Sequence, residues 1–150
     1  MPTTTVAVEI DATPDQVWAA IEPVERHVEW MSDAESIEFH THQTRGVGTT
    51  FRCVTRFGPV RLADEMEITE WLPGQAMGVR HVGVVTGSGR FSLTPIDLGR
   101  RTRFEWTEEL RFPAWLAGRL GAGLAARTLF PLIWRRNLSR LRRLIERRPA

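Results

Sequence analysis

The order of the hydrophobic patterns constrains this chain more than any single motif does. One strand-like segment and a short helical segment come first, a long run with a period of two follows, and a single long helix begins near Pro113. Alternating segments joined by short connections pair as an antiparallel meander. The order therefore predicts an α+β fold, in which a curved antiparallel sheet wraps around one helix and leaves space for a small apolar molecule.

The local signals predict seven strands and two short helices. Thr13 is a candidate N-cap before Pro14, which predicts a helix over residues 14–21 that ends before Pro23. A second short helix is predicted over residues 24–31. The strands are predicted over residues 3–10, 36–42, 49–57, 60–71, 75–82, 90–96 and 101–110, with a loop and the start of a strand within 83–89.

Length and cysteine content indicate a single domain over residues 1–150, which is long enough to bury a core without disulfides. Cys53 is the one cysteine, so no internal bridge can form, and no spacing of His, Cys and carboxylates predicts a metal site. We predict no cofactor. The N-terminus lacks the features of a signal peptide, so we expect a cytoplasmic protein.

Charge is concentrated in the last helix. Its end, WRRNLSRLRRLIERR, contains seven arginines and one acid, although the whole chain has a net charge of only +2. Cations are favourable at a helix C-terminus, so a solvated helix end explains the pattern, and no nucleic-acid partner is expected. Weak contact with an anionic membrane through this helix is the alternative.

The last helix has two different halves. Its C-terminal half carries an apolar stripe that includes Trp134, Leu138 and Leu141, which predicts packing on the sheet. Its N-terminal half is apolar almost all round and contains several glycines, and Pro131 predicts a kink or an interruption. The segment from Gly118 to Gly123 is predicted to form a mobile lid at the mouth of the cavity.

Several segments together resemble a known family. ATPDQVWAAI after the first strand is followed by GVGTTF, EWLPG, GSGRFSLTP and RTRFEWTEEL, and then by the long helix. This order is similar to that of the polyketide cyclase/dehydrase and lipid-transport proteins of the START-like, Bet v 1-like (SRPBCC) superfamily. The resemblance implies a helix-grip fold with an internal cavity for lipids, polyketides or other apolar molecules. Members include carriers, cyclases, dehydratases and ligand sensors, so the fold does not choose among these functions.

Three titratable residues fall on strand faces that are otherwise apolar. Alternation places Asp64 beside Leu62 and Met66, His81 beside Met77 and Val79, and Glu108 beside Trp106 and Leu110. A desolvated carboxyl is costly unless it is paired, and its pKa is expected to rise. Asp64, His81 and Glu108 are therefore the candidate general acid and base groups. The structural alternative is that they pair with arginines or lie at solvated strand ends.

Large apolar residues on these faces are the candidate ligand contacts. Tryptophan offers a rigid apolar surface and one N–H that can orient a ligand, although any single tryptophan can equally be a core residue. The predicted set comprises Trp30, Phe51, Leu62, Met66, Phe91, Phe104, Trp106, Trp115, Leu120 and Leu124.

Three functions remain open at this stage. The first is binding or transport of a small hydrophobic molecule, either lipid-like or polyketide-like. The second is a cyclase or dehydratase that uses Asp64, His81 or Glu108. The third is a membrane-associated or interaction protein that acts through the arginine-rich helix. The sequence identifies neither the ligand nor the oligomeric state.

Overall fold

The computed structural model describes residues 3–115 and 122–147. For residue 57 and for residues 122–128 it describes only the backbone. In chain order it contains β1 (Thr3–Ile10), α1 (Pro14–Ile21), a 3₁₀ helix (Val24–Glu29), β2 (Ala34–Phe39), β3 (Thr50–Phe57), β4 (Val60–Leu72), β5 (Ala76–Val82), β6 (Thr86–Ile96), a 3₁₀ turn (Asp97–Gly99), β7 (Arg101–Arg111) and α2 (Ala122–Glu146). The α+β architecture predicted from the sequence is confirmed.

The sheet has seven antiparallel strands in the order β1-β7-β6-β5-β4-β3-β2. The strands from β2 to β6 each pair with the next strand in the chain, and β1 pairs with β7 along its whole length. Bulges interrupt the register of β2 near Ala34 and of β4 near Ile68. Bulges increase local twist and bend a strand, so they contribute to the curvature that encloses one face.

Capping explains why α1 begins where the sequence predicts. The Thr13 hydroxyl accepts a hydrogen bond from the backbone N–H of Gln16, and the Gln16 side chain accepts one from the backbone N–H of Thr13. This capping box satisfies two backbone donors that a helix start leaves unpaired. The second short helix forms as a 3₁₀ helix, and it ends two residues earlier than predicted.

Strand β2 ends at Phe39 rather than at His42 because the following side chains form a turn. Thr41 donates its hydroxyl to the carbonyl of Gln43, and Gln43 donates its amide to the carbonyls of Arg45 and Val47. Side-chain to backbone hydrogen bonds of this kind compete with ladder formation.

Strand β6 begins at Thr86, four residues before the predicted strand over residues 90–96, so Gly87 and Gly89 belong to the strand.

Helix α2 packs its apolar stripe on the inner face of the sheet. Trp134, Leu138, Leu141 and Ile145 are buried, as the helical spacing predicts. The helix continues through Pro131 without interruption. Arg135, Arg136, Arg142 and Arg143 are on the solvent side, and membrane contact through them stays a prediction. Within the described ranges, no helix is both long and apolar enough to cross a bilayer.

Candidate functional site

A cavity of about 120 Å³ lies between the concave face of the sheet and the part of α2 that contains Phe130 and Trp134. On a comparable measure one water needs roughly 10–15 Å³, so the cavity has room for a compact organic group. Its described apolar wall includes Phe51, Leu62, Met66, Ile68, Met77, Val79, Phe91, Trp106, Phe130 and Trp134. Its polar lining includes His27, Asp33, Thr55, Asp64, His81 and Glu108, together with the Cys53 thiol. The wall is therefore mostly apolar, with a small number of titratable groups.

Three of these groups converge on one point, and they are the three that the sequence singled out. The Nδ1 atom of His81 lies 2.9 and 3.0 Å from the two carboxylate oxygens of Asp64. Its Nε2 atom lies 3.1 Å from Oε2 of Glu108. His81 is buried, and the side chains of Asp64 and Glu108 are 15% and 10% exposed. We call Asp64, His81 and Glu108 the acid–histidine cluster.

The cluster extends across strand β6, which has glycines at the positions opposite His81 and Glu108. His81 is on β5 and Glu108 is on β7, and β6 runs between these strands. In the ladder, His81 lies opposite Gly87 and Glu108 lies opposite Gly89. A Cβ at Gly89 would lie 2.5 Å from Oε1 of Glu108, closer than real Cβ atoms approach another atom. Because Gly89 has no side chain, the Glu108 carboxylate can lie over β6 and reach the imidazole.

The neighbours of His81 favour its charged form. Burial acts against the imidazolium, but the hydrogen bonds and negative charges of Asp64 and Glu108 outweigh burial and raise the pKa of His81 to about 10. Near neutral pH the ring therefore carries two N–H groups and donates one to each carboxylate. The cluster then holds two negative charges and one positive charge inside an apolar wall.

Trp106 orients the Glu108 carboxylate of the cluster. Its indole N–H donates to Oε1 of Glu108 over 3.0 Å, so both oxygens of Glu108 have a donor. Trp106 and Glu108 are two residues apart on β7 and share the inner face. The ring of Trp106 also packs edge-on against Phe91 and obliquely against Trp134. The aromatic wall and the cluster are thus one connected structure.

The predicted ligand contacts divide into three groups. Phe51, Leu62, Met66, Phe91 and Trp106 line the cavity. Trp30 and Phe104 are instead fully buried behind it, where both pack on Phe91. Trp115 is 60% exposed and contributes nothing to the described wall, because it follows the end of β7 beyond the sheet. Leu120, and the predicted lid with it, lies outside the described residues, and the side chain of Leu124 is not described.

The sequence analysis missed several polar groups of the lining, among them Asp33 and His27. Asp33 accepts a hydrogen bond of 2.8 Å from the side-chain amide of Asn137, which is fully buried on α2. Burial raises the pKa of Asp33, against the effect of that hydrogen bond. His27 donates its Nε2–H to the carbonyl of Ile21, and burial lowers its pKa to about 4, so its ring is neutral. The one available signal was Asn137, a polar residue within the apolar stripe of α2.

The described residues contain no group of three or more His, Cys, Asp and Glu side chains that is arranged to hold a metal ion. Burial raises the pKa of the Cys53 thiol to about 12, so this cysteine is a poor nucleophile. The acid–histidine cluster supplies groups for hydrogen bonding and proton transfer.

Comparison with known proteins agrees with this arrangement. A family model described as polyketide cyclase / dehydrase and lipid transport matches residues 1–146. The chain belongs to this family. The model covers almost the whole chain, so the strands, the helices and the cavity between them all belong to the matched region. No curated protein matches the sequence significantly.

Solved structures of the same fold are distant in sequence. TTHA0849 from Thermus thermophilus is 19% identical, with a TM-score of 0.80 and 97% of each chain covered. The Zhui aromatase/cyclase from Streptomyces sp. R1128 is 19% identical, with a TM-score of 0.75 over 98% of this chain and 94% of that one. A START superfamily protein from Mycobacterium smegmatis is 14% identical, with a TM-score of 0.70 over 96% and 97%. At these identities the likeness establishes a shared START-like, helix-grip fold.

Proposed function

We propose that this family member binds a small apolar molecule in the cavity and directs a polar group of that molecule at the acid–histidine cluster. One observation carries the proposal: a mostly apolar cavity contains a buried cluster, one carboxylate of which, Glu108, is held by Trp106 on the same wall. Apolar burial supplies affinity, and a few fixed polar groups supply orientation. A hydroxyl that donates to Glu108 or Asp64 would satisfy both requirements.

Convergence of three titratable groups favours catalysis as a second candidate. In the dehydration of a β-hydroxy ketone, the Glu108 carboxylate would take the proton from the carbon next to the carbonyl. The His81 imidazolium would give a proton to the leaving hydroxyl, which departs as water, and the protonated Glu108 would then return its proton to His81. The similarity in fold to an aromatase/cyclase supports this chemistry as a class.

Binding is tested by filling the cavity. Val79 lines the wall and Val47 is 61% exposed, so Val79→Phe and Val47→Phe add the same atoms inside and outside the cavity. The probe is N-phenyl-1-naphthylamine, a neutral apolar fluorophore. The wild type and Val47→Phe are expected to bind it with equal affinity, and Val79→Phe at least tenfold more weakly. Equal affinity in all three proteins would place binding outside the cavity and overturn the proposal.

Catalysis is tested with an aryl β-hydroxy ketone whose conversion to the enone is followed by absorbance. Glu108→Gln keeps one of the two hydrogen-bond acceptors but removes the base, so the rate constant of dehydration is expected to fall by a factor of roughly 10² or more. Glu105→Gln changes an exposed residue that pairs with Arg103, and it is expected to leave the rate unchanged. Conversion at the uncatalysed rate by the wild type would leave binding as the function.

A further inference from the structure

The cavity has a second polar end besides the acid–histidine cluster. Asp33 precedes β2 at one edge of the sheet, whereas the cluster extends from β4 to β7. Cys53 on β3 lies between these two ends, because it pairs with Asp64 of β4 in one ladder and with Ile37 of β2, the strand that follows Asp33, in the other. Strands β2 and β4 are two spacings apart, or roughly 10 Å along the sheet. An apolar wall that includes Phe51 and Ile37 extends through the same region.

The Asp33 carboxyl is held in place with acceptor capacity to spare. Asn137 donates to Oδ1, and the other end of the Asn137 amide accepts hydrogen bonds from the backbone N–H and the hydroxyl of Ser32, at 2.9 and 2.8 Å. The carboxyl also interacts with its own backbone N–H. A carboxylate has about four acceptor positions, so these contacts leave some of them free. No ion pair among the described side chains involves Asp33.

We infer that Asp33 is a second anchor for the ligand and that the ligand is a compact apolar molecule with a hydroxyl group at each end. This inference rests on the proposed binding function and names its ligand class. A hydroxyl both donates and accepts, so it matches a carboxyl in either protonation state. A ligand carboxylate would instead add a negative charge beside Asp64 and Glu108, whose two negative charges already exceed the single positive charge of the His81 imidazolium between them. A fatty acid, which has one charged end, fits this cavity poorly.

Three probes of similar size separate the contribution of the second hydroxyl. They are 2,6-dihydroxynaphthalene, its monomethyl ether and 2-naphthol, and their dissociation constants are measured by calorimetry. The wild type is expected to bind the diol roughly tenfold more tightly than either of the others, which is the gain from one additional hydrogen bond. Asp33→Asn is expected to reduce this preference to less than twofold. Asp97→Asn, which alters an exposed acid in the β6–β7 connection, is expected to keep it.

A second variant distinguishes loss of the anchor from a general loss of folding. Asp33→Glu keeps the charge but moves the carboxyl by one methylene, so it is also expected to lose the preference for the diol while binding 2-naphthol normally. If the wild type shows no preference, or if Asp33→Asn retains it, the anchor is refuted while cavity binding stands. If none of the three probes binds the wild type, both the anchor and the proposed binding function are refuted.

Discussion

His81 Nε2 lies 3.1 Å from Glu108 Oε2 although a whole strand separates the backbones of these two residues. The contact exists because Gly89, the residue of β6 that lies opposite Glu108 in the ladder, has no side chain, whereas Gly87, opposite His81, allows the β7 backbone to approach closely. Two glycines that resemble a turn signal in the sequence thus belong to a strand, where they permit a close approach.

Replacing Gly89 with alanine tests this relationship. The backbone at Gly89 suits alanine, but the added Cβ would meet the Glu108 carboxylate. Glu108 must then move away from His81 or Trp106, and the lost hydrogen bonds are expected to lower the free energy of unfolding by about 1–3 kcal/mol. Urea denaturation measures this change. Ser88→Ala, at the exposed neighbouring position, is expected to change it by less than about 0.5 kcal/mol, and an equal effect of the two substitutions would contradict the explanation.

Alkaline pH is expected to destabilise the protein through His81. Its folded-state pKa of about 10 exceeds its ordinary value of 6.5, so its stabilising effect is complete below pH 6.5 and is lost as pH rises toward 10. The folded state holds one extra proton in this window, so the free energy of unfolding is expected to fall by up to about 1.4 kcal/mol per pH unit. The chain has no lysine or tyrosine, and Cys53 contributes only near and above pH 9.

The measurement is urea denaturation at half-unit intervals from pH 7 to pH 9. The His81→Gln variant is expected to show a nearly flat profile over this range, because the titrating group is absent. A wild-type profile as flat as that of His81→Gln would show that His81 is not charged in the folded protein.

Acid pH is expected to destabilise the protein through His27. Burial lowers the pKa of His27 to about 4, so between pH 6.5 and pH 4 the unfolded chain binds a proton that the folded protein does not. The contribution of His27 to stability is therefore lost as pH falls through this window. Comparing the free energies of unfolding at pH 7 and pH 5 should give a smaller loss for His27→Gln than for the wild type. His42→Gln, at an exposed position, should match the wild type, and equal losses in all three proteins would contradict the assignment.

Replacing Asn137 with an apolar residue is expected to destabilise the protein. Leucine has the same number of side-chain heavy atoms and the same branching as asparagine, but Asn137→Leu removes the hydrogen bonds to Ser32 and leaves the Asp33 carboxyl without its amide donor. We expect a loss of about 2–3 kcal/mol in the free energy of unfolding. Arg136→Leu changes the exposed neighbour and is expected to have little effect. If Asn137→Leu proved as stable as the wild type, the amide would not be holding Asp33.

The sequence predicts the fold well because its signals are local. Alternation in β4 placed Leu62, Asp64 and Met66 on one face, and the structure shows all three lining the cavity. The same alternation selected His81 and Glu108, and the structure brings these residues together with Asp64. Their catalytic role stays a prediction.

What the sequence could not predict depends on contacts between distant residues. Asp33 resembles an ordinary turn residue until Asn137, 104 positions later, reaches it from α2. Trp115 was expected in the wall because it is large and apolar, but its position depends on where the chain leaves the sheet after β7. Alternation identifies the face of a strand and not the depth along it, so Phe104 was assigned to the wall although it is buried in the core behind it.

The charge on His81 decides whether the cavity contains a proton donor held between two acceptors or a neutral core histidine. ¹⁵N-edited NMR of the four histidine rings, recorded from pH 5 to pH 10.5 and assigned with His81→Gln, measures this directly. We predict that both ring nitrogens of His81 stay protonated through pH 8 and that the ring titrates near pH 10. Titration near pH 6.5 would contradict the charged acid–histidine cluster and the proton donor assigned to it.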